Sequence, residues 1–217
     1  MSVEIVFETH STSVDNERGL ATGWLQGELS ERGRQQAREL GERRCEDGVS
    51  AVFTSDLARA VETAAMAFGD SGIPIFKDWR LRECNYGDLN AMPSAQLEAE
   101  RSRRIDDPYP GGESYRDVVN RMRAFLDDLS PEFDGGRVVV VGHSATRWAL
   151  DHLLSGAARG ARRSVRLAGG LGVCLRALVP DVVLDVELEQ GQRFPPAGRA
   201  VREARPARWC VRVAVLA

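Results

Sequence analysis

Apolar positions along the chain alternate between short continuous runs and helical stripes. Val3, Ile5, Val6 and Phe7 form the first run, β-branched and aromatic residues suited to a buried pleated surface, and the small polar stretch after His10 ends it. Behind it, Ser30 is a helix N-cap, with Ala37, Leu40 and Gly41 at helical spacing. Val49, Ala51, Val52 and Phe53 predict a second strand, and TSD (54–56) opens a helix carrying Leu57, Ala60, Val61, Ala64 and Ala65 on one face. Ile73 to Phe76 reads as an edge strand broken by Pro74, while WRLRECNYGDLNAMP (79–93) is irregular and polar enough to be an active-site loop. PYPGGES (108–114) turns into a helix from about Ser114 to Leu129, supported by Val118, Val119, Met122, Phe125 and Leu126. The purest run, Val138 to Val141, is followed by Gly142, His143 and a new helix. Strands alternating with helices predict an α/β fold, a three-layer α/β/α sandwich with a mostly parallel central sheet and right-handed crossovers.

Length and composition narrow this picture. A chain of 217 residues can bury one substantial core. The style changes near residue 157, where amphipathic periods give way to Arg, Ala, Gly, Val and Pro, so the expected organisation is one α/β domain over 1–156 and an atypical C-terminal segment over 157–217, a tail or extra strands. A net charge of −3 offers no broad attraction for nucleic acid or anionic membrane. MSVEIVFETH lacks the features of a signal peptide, and no apolar run reaches membrane-spanning length, so a cytoplasmic protein is expected. Cys45, Cys84, Cys174 and Cys210 show no metal-ligand spacing; reduced thiols, no metal and no cofactor are expected.

Candidate chemistry gathers at strand ends. His10 and His143 each lie just beyond the carboxyl end of an apolar strand, where open α/β sheets bind ligands. Arg59 falls in the first turn of the helix after a further strand, and the helix from Ser144 offers free backbone N–H groups to an anion. Glu83, in the irregular loop, is a candidate proton donor. Singly, each residue also fits a structural role: a strand cap, a solvated helix arginine, a surface carboxylate. His152, within a helix, takes that structural reading.

Together the motifs resemble the histidine phosphatase superfamily, the phosphoglycerate mutase-like proteins. ETHSTSVDN is similar to the RHGxT…N signature, TSDLARAVETA to SxLxRAxxTA, RLRECNYG to LxExxxG, and VVVVGHS to the second histidine strand, across about Val3 to Gly156. The resemblance implies that His10 is the phosphorylated nucleophile, that Arg59 and His143 hold the phosphoryl oxygens and that Glu83 protonates the leaving oxygen. Asn16, Thr22, Gly23 and Tyr86 match secondary pocket positions, and Arg103 and Arg104 resemble a substrate-side basic pair. The expected activity of the 1–156 domain is metal-independent hydrolysis of a small phosphomonoester through a phosphohistidine, ahead of mutase chemistry, because a mutase must hold its phosphoenzyme against water and the sequence shows no sign of such closure. An imidazole attacks phosphorus only when neutral, and adjacent positive charge disfavours its protonation, which suits these roles.

Two departures stand out. Thr9 occupies the position of the family's arginine before the nucleophile, and Ser11 that of the usual glycine. Either Arg18 substitutes, or the pocket takes a less charged ligand, or turnover is weak; the rival reading is a catalytically inactive phosphate-ligand binder of the same fold. The second departure is the tail. In relatives with the ETH variant a segment resembling PFxWQEGWEY supplies the last strand, where this chain has SVRLAGGLGVCLRAL. Leu167 to Cys174, back-translated as CTG GCA GGA GGG CTG GGA GTA TGT, reads WQEGWEY one nucleotide later. The expectation is a frameshift beginning between about Ser155 and Ser164, with loss of an edge strand and an unpaired sheet edge. Codons that cannot read WQEGWEY in the next frame would exclude it.

Overall fold

The computed structural model describes residues 2–44, 46–129, 133–157, 185–186 and 209–213. A six-stranded sheet runs in the order β4-β3-β6-β1-β8-β7, built from β1 (Ser2–Thr9), β3 (Val49–Thr54), β4 (Ile75–Lys77), β6 (Arg137–Gly142), β7 (Asp185–Val186) and β8 (Trp209–Val213). Every pairing is parallel except β7 with β8. A small antiparallel pair, β2 (Leu20–Ala21) with β5 (Met92–Pro93), lies apart from it.

The pleat sorts the core into two layers. Val3, Ile5, Phe7, Val138 and Val140 face α5 (Tyr115–Asp128) and α6 (Ser144–Ala157), packing with Val118, Met122, Phe125, Ala149 and Leu150. Their alternates, Val6, Val139 and Val141, join Val52 against Leu40 of α2 (Glu31–Arg44) and Ala60, Ala64 and Phe68 of α3 (Ala58–Phe68). Strands buried on both faces read as continuous apolar runs because neither side meets water. The expected three-layer sandwich is the observed one.

Local signals place the helix ends. Ser30 Oγ accepts from Gly33 N at 3.2 Å as N-cap of α2, and Ser114 closes a capping box with Asp117 at the start of α5. The α3 helix begins at Ala58 rather than at the TSD turn. Ser55 Oγ accepts from Leu57 N at 3.3 Å, and Asp56 is gripped by Arg82 through two bonds of 2.6 Å, so both side chains work outside the helix. Pro74 ends up just before β4, an edge strand, with its carbonyl accepting from Val52 N. A shorter α1 (Val14–Glu17) and α4 (Ser94–Glu100) flank the site.

At its other side the sheet differs from expectation. The edge of β1 is not left unpaired: Trp209–Val213 runs parallel to it, with Ser2 opposite Cys210 and Ile5 opposite Val213. An unpaired row of backbone groups beside the most buried strands would be costly, and β8 removes it. The stretch 167–174, on which the frameshift expectation rests, lies outside the described residues.

Candidate active site

Register brings the histidines together. Thr9 at the end of β1 is paired with Gly142 at the end of β6, and His10 N donates to Gly142 O at 3.0 Å, so the next residues of the two parallel strands leave the sheet side by side. Their ring centroids are 4.9 Å apart, tilted by 55°. On the other flank of β6, Ser55 N donates to Val141 O at 3.0 Å, and the chain turns into α3 and Arg59. Three neighbouring strands thus deliver His10, His143 and Arg59 to one carboxyl-end crevice.

Arg59 is 2% exposed and organises the pocket. Its Nη2 donates to Gly23 O at 2.8 Å and its Nη1 to Leu25 O at 3.1 Å, while Nε donates to His10 Nε2 at 3.3 Å and Nη2 also lies 3.4 Å from His143 Nδ1. Thr63 Oγ1, one turn on, donates to Arg59 O and accepts from Ser11 N, tying the loop after His10 to α3. Gly23 has φ +57°, and a Cβ there would lie 1.8 Å from Asn90 Oδ1, so glycine is required where its carbonyl must meet Arg59.

Tautomers follow from these contacts. His10 Nδ1 lies 2.7 Å from Ser11 O, which requires a proton on Nδ1 and leaves the lone pair on Nε2. Burial first, and the Arg59 charge second, push the His10 pKa down to about 3. His143 is fully buried, and burial, then Arg59, then His10 hold its pKa well below the ordinary value. With Nδ1 facing the guanidinium, its Nε2 carries the proton and is buried with no hydrogen-bond partner among the described residues. A buried donor without an acceptor beside a nucleophilic lone pair suits an anion's oxygen.

Glu83 sits at the same crevice by way of α6. Its Oε1 accepts from Cys84 N at 2.8 Å and from Ala145 N at 3.1 Å, in the first turn of the helix. The α6 N-terminus, expected to offer free donors to a ligand, spends one of them within the protein: Ala145 N–H goes to Glu83, while just before the helix His143 N–H goes to Thr146 Oγ1 at 2.9 Å. Among the described residues the second carboxylate oxygen of Glu83 has no hydrogen-bond partner. Its main-chain carbonyl is held by Trp24 Nε1 at 2.7 Å and Arg121 Nη2 at 2.9 Å, and Arg121 also binds Arg80 O and Glu113. Trp24 is covered in turn by Arg82, 4.5 Å from the indole.

The secondary positions divide. Gly23 lies on Arg59, Thr22 is buried with Oγ1 donating to Asp15 Oδ2, and Tyr86 is buried against Tyr109. Asn16 is exposed, and its Oδ1 closes the capping box of α1 with Ser13. Arg18 is exposed at the end of α1. Arg103 is turned to solvent with its side chain 76% exposed, and Arg104 pairs with Glu100 and Asp107. Position 9 offers no guanidinium, and the neighbouring Glu8 is spent on Arg44, a buried pair at 2.6 Å. Sequence reasoning missed Trp24 and Arg121, which reach the Glu83 carbonyl from 59 and 38 residues away, beyond any local signal.

A parallel sheet with two imidazoles and a buried arginine at its carboxyl end defines a class of phosphoryl-handling folds. The chain belongs to the histidine phosphatase superfamily (branch 1), whose family model matches residues 5–180. It is 31% identical over 209 residues to a 2,3-bisphosphoglycerate-dependent phosphoglycerate mutase of Methylobacterium radiotolerans, covering 87% of this chain and 98% of that one. A mutase of the same name from Clavibacter michiganensis subsp. michiganensis is 31% identical over 191 residues, 70% of this chain and 76% of the relative. Among solved structures, a mycobacterial glucosyl-3-phosphoglycerate phosphatase is 32% identical with a TM-score of 0.61, covering 70% of this chain and 79% of that one. The Bacillus stearothermophilus protein YhfR is 27% identical with a TM-score of 0.63, covering 71% and 80%. Members of the superfamily are phosphatases or mutases. No described helix is long and apolar enough to cross a membrane.

Proposed function

We propose that the protein is a metal-independent phosphoric monoester hydrolase that acts on a small phosphorylated substrate through a phosphohistidine on His10. The observation that carries this is the state of His10: Nδ1 held by Ser11 O at 2.7 Å, and a pKa near 3 that leaves Nε2 unprotonated at neutral pH. The Nε2 lone pair attacks phosphorus while the bond to the leaving oxygen breaks, and Glu83 delivers a proton to that oxygen. Water then attacks the phosphohistidine, Glu83 takes its proton, and inorganic phosphate leaves as His10 regains its lone pair. Arg59 and the His143 Nε2–H stabilise the charge spread over the equatorial oxygens, which is the main catalytic demand of this chemistry.

Hydrolysis is favoured over mutase chemistry by the basic pair at 103–104, which is turned to solvent and to local carboxylates rather than offered to an acidic product. A second reading, a phosphate-ligand binder without turnover, draws on Thr9: a single guanidinium faces the two imidazoles among the described residues. Incubating the full chain with 4-nitrophenyl phosphate and sugar phosphates beside His10→Ala decides between them. Release by the wild type alone supports the hydrolase; equal background release with retained orthophosphate binding overturns it in favour of the binder.

A further inference from the structure

We propose that the preferred leaving group carries an aromatic ring, received by an apolar groove that starts at the first turn of α6. The proposal rests on the phosphatase reading above and narrows its substrate class. The groove has a volume of about 310 Å³ and lies between Ile105, Tyr115 and Val119 on one side and Ala145, Trp148 and Ala149 on the other. Small-molecule sites span roughly 300–1,000 Å³, so this one fits a single ring with a short linker.

Its position joins it to the reaction. Ala145 lines the groove, and the same residue's N–H binds the Glu83 carboxylate at 3.1 Å. In an in-line displacement the leaving group lies on the side of the acid, and Glu83 is held at the turn of α6 where the groove begins. A succession of aromatic contacts leads outward from the site: Tyr86 to Tyr109 at 5.2 Å, Tyr109 to Tyr115 at 6.2 Å and Tyr115 to Trp148 at 5.9 Å between centroids.

Its walls select for apolar rings. Ile105 is 52% and Trp148 36% exposed, two large apolar side chains left open at the mouth. Arg101, which with Ser102 and His152 makes up the polar part of the lining, is paired with Glu98 through its terminal nitrogen and lies 4.6 Å over the Trp148 ring, while its Nε is buried without a partner among the described residues. A glycerate or sugar leaving group would surrender its water to these walls for few polar contacts, Arg101 Nε and Tyr115 Oη among them, whereas a phenyl ring gains edge and face contacts along the groove.

The test compares two unactivated primary-alkyl esters, 2-phenylethyl phosphate and glycerol 3-phosphate, so that intrinsic leaving-group reactivity is similar. The full chain should show a kcat/KM about tenfold or more higher for the phenylethyl ester. Ile105→Ser, at an open position where folding is not at stake, and Trp148→Ala should each lower that ratio severalfold, with Trp148→Phe restoring most of it. An equal or inverted ratio, or a ratio that neither Ile105→Ser nor Trp148→Ala moves, overturns the groove. Failure of the phosphatase reading is seen separately, as turnover no greater than that of His10→Ala. In that event calorimetric binding of the same two esters still decides: preference for the phenylethyl ester that Ile105→Ser reduces supports the groove, and no preference overturns it.

Discussion

Arg59 Nε points its N–H at His10 Nε2 from 3.3 Å, so the guanidinium faces the very lone pair that would attack phosphorus. A cation at that distance opposes a second proton on the ring, and it lies where a phosphoryl oxygen would need a donor. Arg59→Lys keeps the charge and loses the fork. It should lower kcat/KM by about 10²–10³, since the Gly23, Leu25, His10 and His143 contacts cannot be reproduced by one ammonium, while orthophosphate affinity falls less. Steady-state kinetics with product inhibition separates the two effects.

Burial of two uncharged imidazoles makes the fold acid-sensitive. Both folded-state pKa values lie below the unfolded value near 6.5, so from pH 6.5 downward the unfolded chain binds more protons and stability falls with pH. The stabilisation is fully present above pH 6.5 and, for His10, is lost as pH falls toward about 3. Each histidine contributes at most about 1.4 kcal/mol per pH unit, less for His10, which retains some solvent contact. Urea midpoints at pH 7, 5.5 and 4.5 should show the decline, and His143→Gln should flatten it.

Glu83→Gln preserves an acceptor for Cys84 N and Ala145 N, so the loop should hold its place. What it removes is the transferable proton. Alkyl phosphates should slow by about 10²–10⁴, and 2,4-dinitrophenyl phosphate, whose leaving oxygen needs no proton, far less. A uniform loss across leaving groups would deny Glu83 that role.

Thr9→Arg restores a guanidinium at the end of β1, next to His10. Charge-assisted bonds contribute roughly 1.5–3 kcal/mol each, so orthophosphate should bind about tenfold or more tightly. Inhibition constants for phosphate and vanadate measure the gain.

Arg44→Ala leaves Glu8 buried without its guanidinium, and Asp47 without its partner. Loss of one member of a buried pair costs about 3–5 kcal/mol, enough to lower the thermal midpoint by several degrees in calorimetry. Arg44→Met with Glu8→Leu should recover much of that loss.

Much of this arrangement is readable from residue order. The apolar runs at Val3–Phe7, Val49–Phe53 and Val138–Val141 are β1, β3 and β6 because strands covered on both faces have no reason to alternate. His10, Arg59, Glu83 and His143 were recognisable from spaced motifs, and Ser30 and Ser114 from their capping chemistry. The start of α3 was not, because Ser55 and Asp56 are claimed by Leu57 N and by Arg82, the latter contact 26 residues away in sequence.

Local pattern therefore determined β1, β3, β4, β6 and the helices α2, α3, α5 and α6, and that two histidines stand at strand ends; α1, α4, β2, β5, β7 and β8 were not legible in it. Tertiary structure alone decided that Thr9 meets Gly142, setting the rings 4.9 Å apart. It also decided that Arg59 and Arg121 turn inward while Arg103 turns to solvent, that Ala145 N–H goes to Glu83, and that β8 covers the edge of β1. The physical reason is one of range. Propensity and periodicity act within a few residues, whereas the direction of a long charged side chain is set by which distant carbonyls and carboxylates can repay its desolvation once the layers have packed.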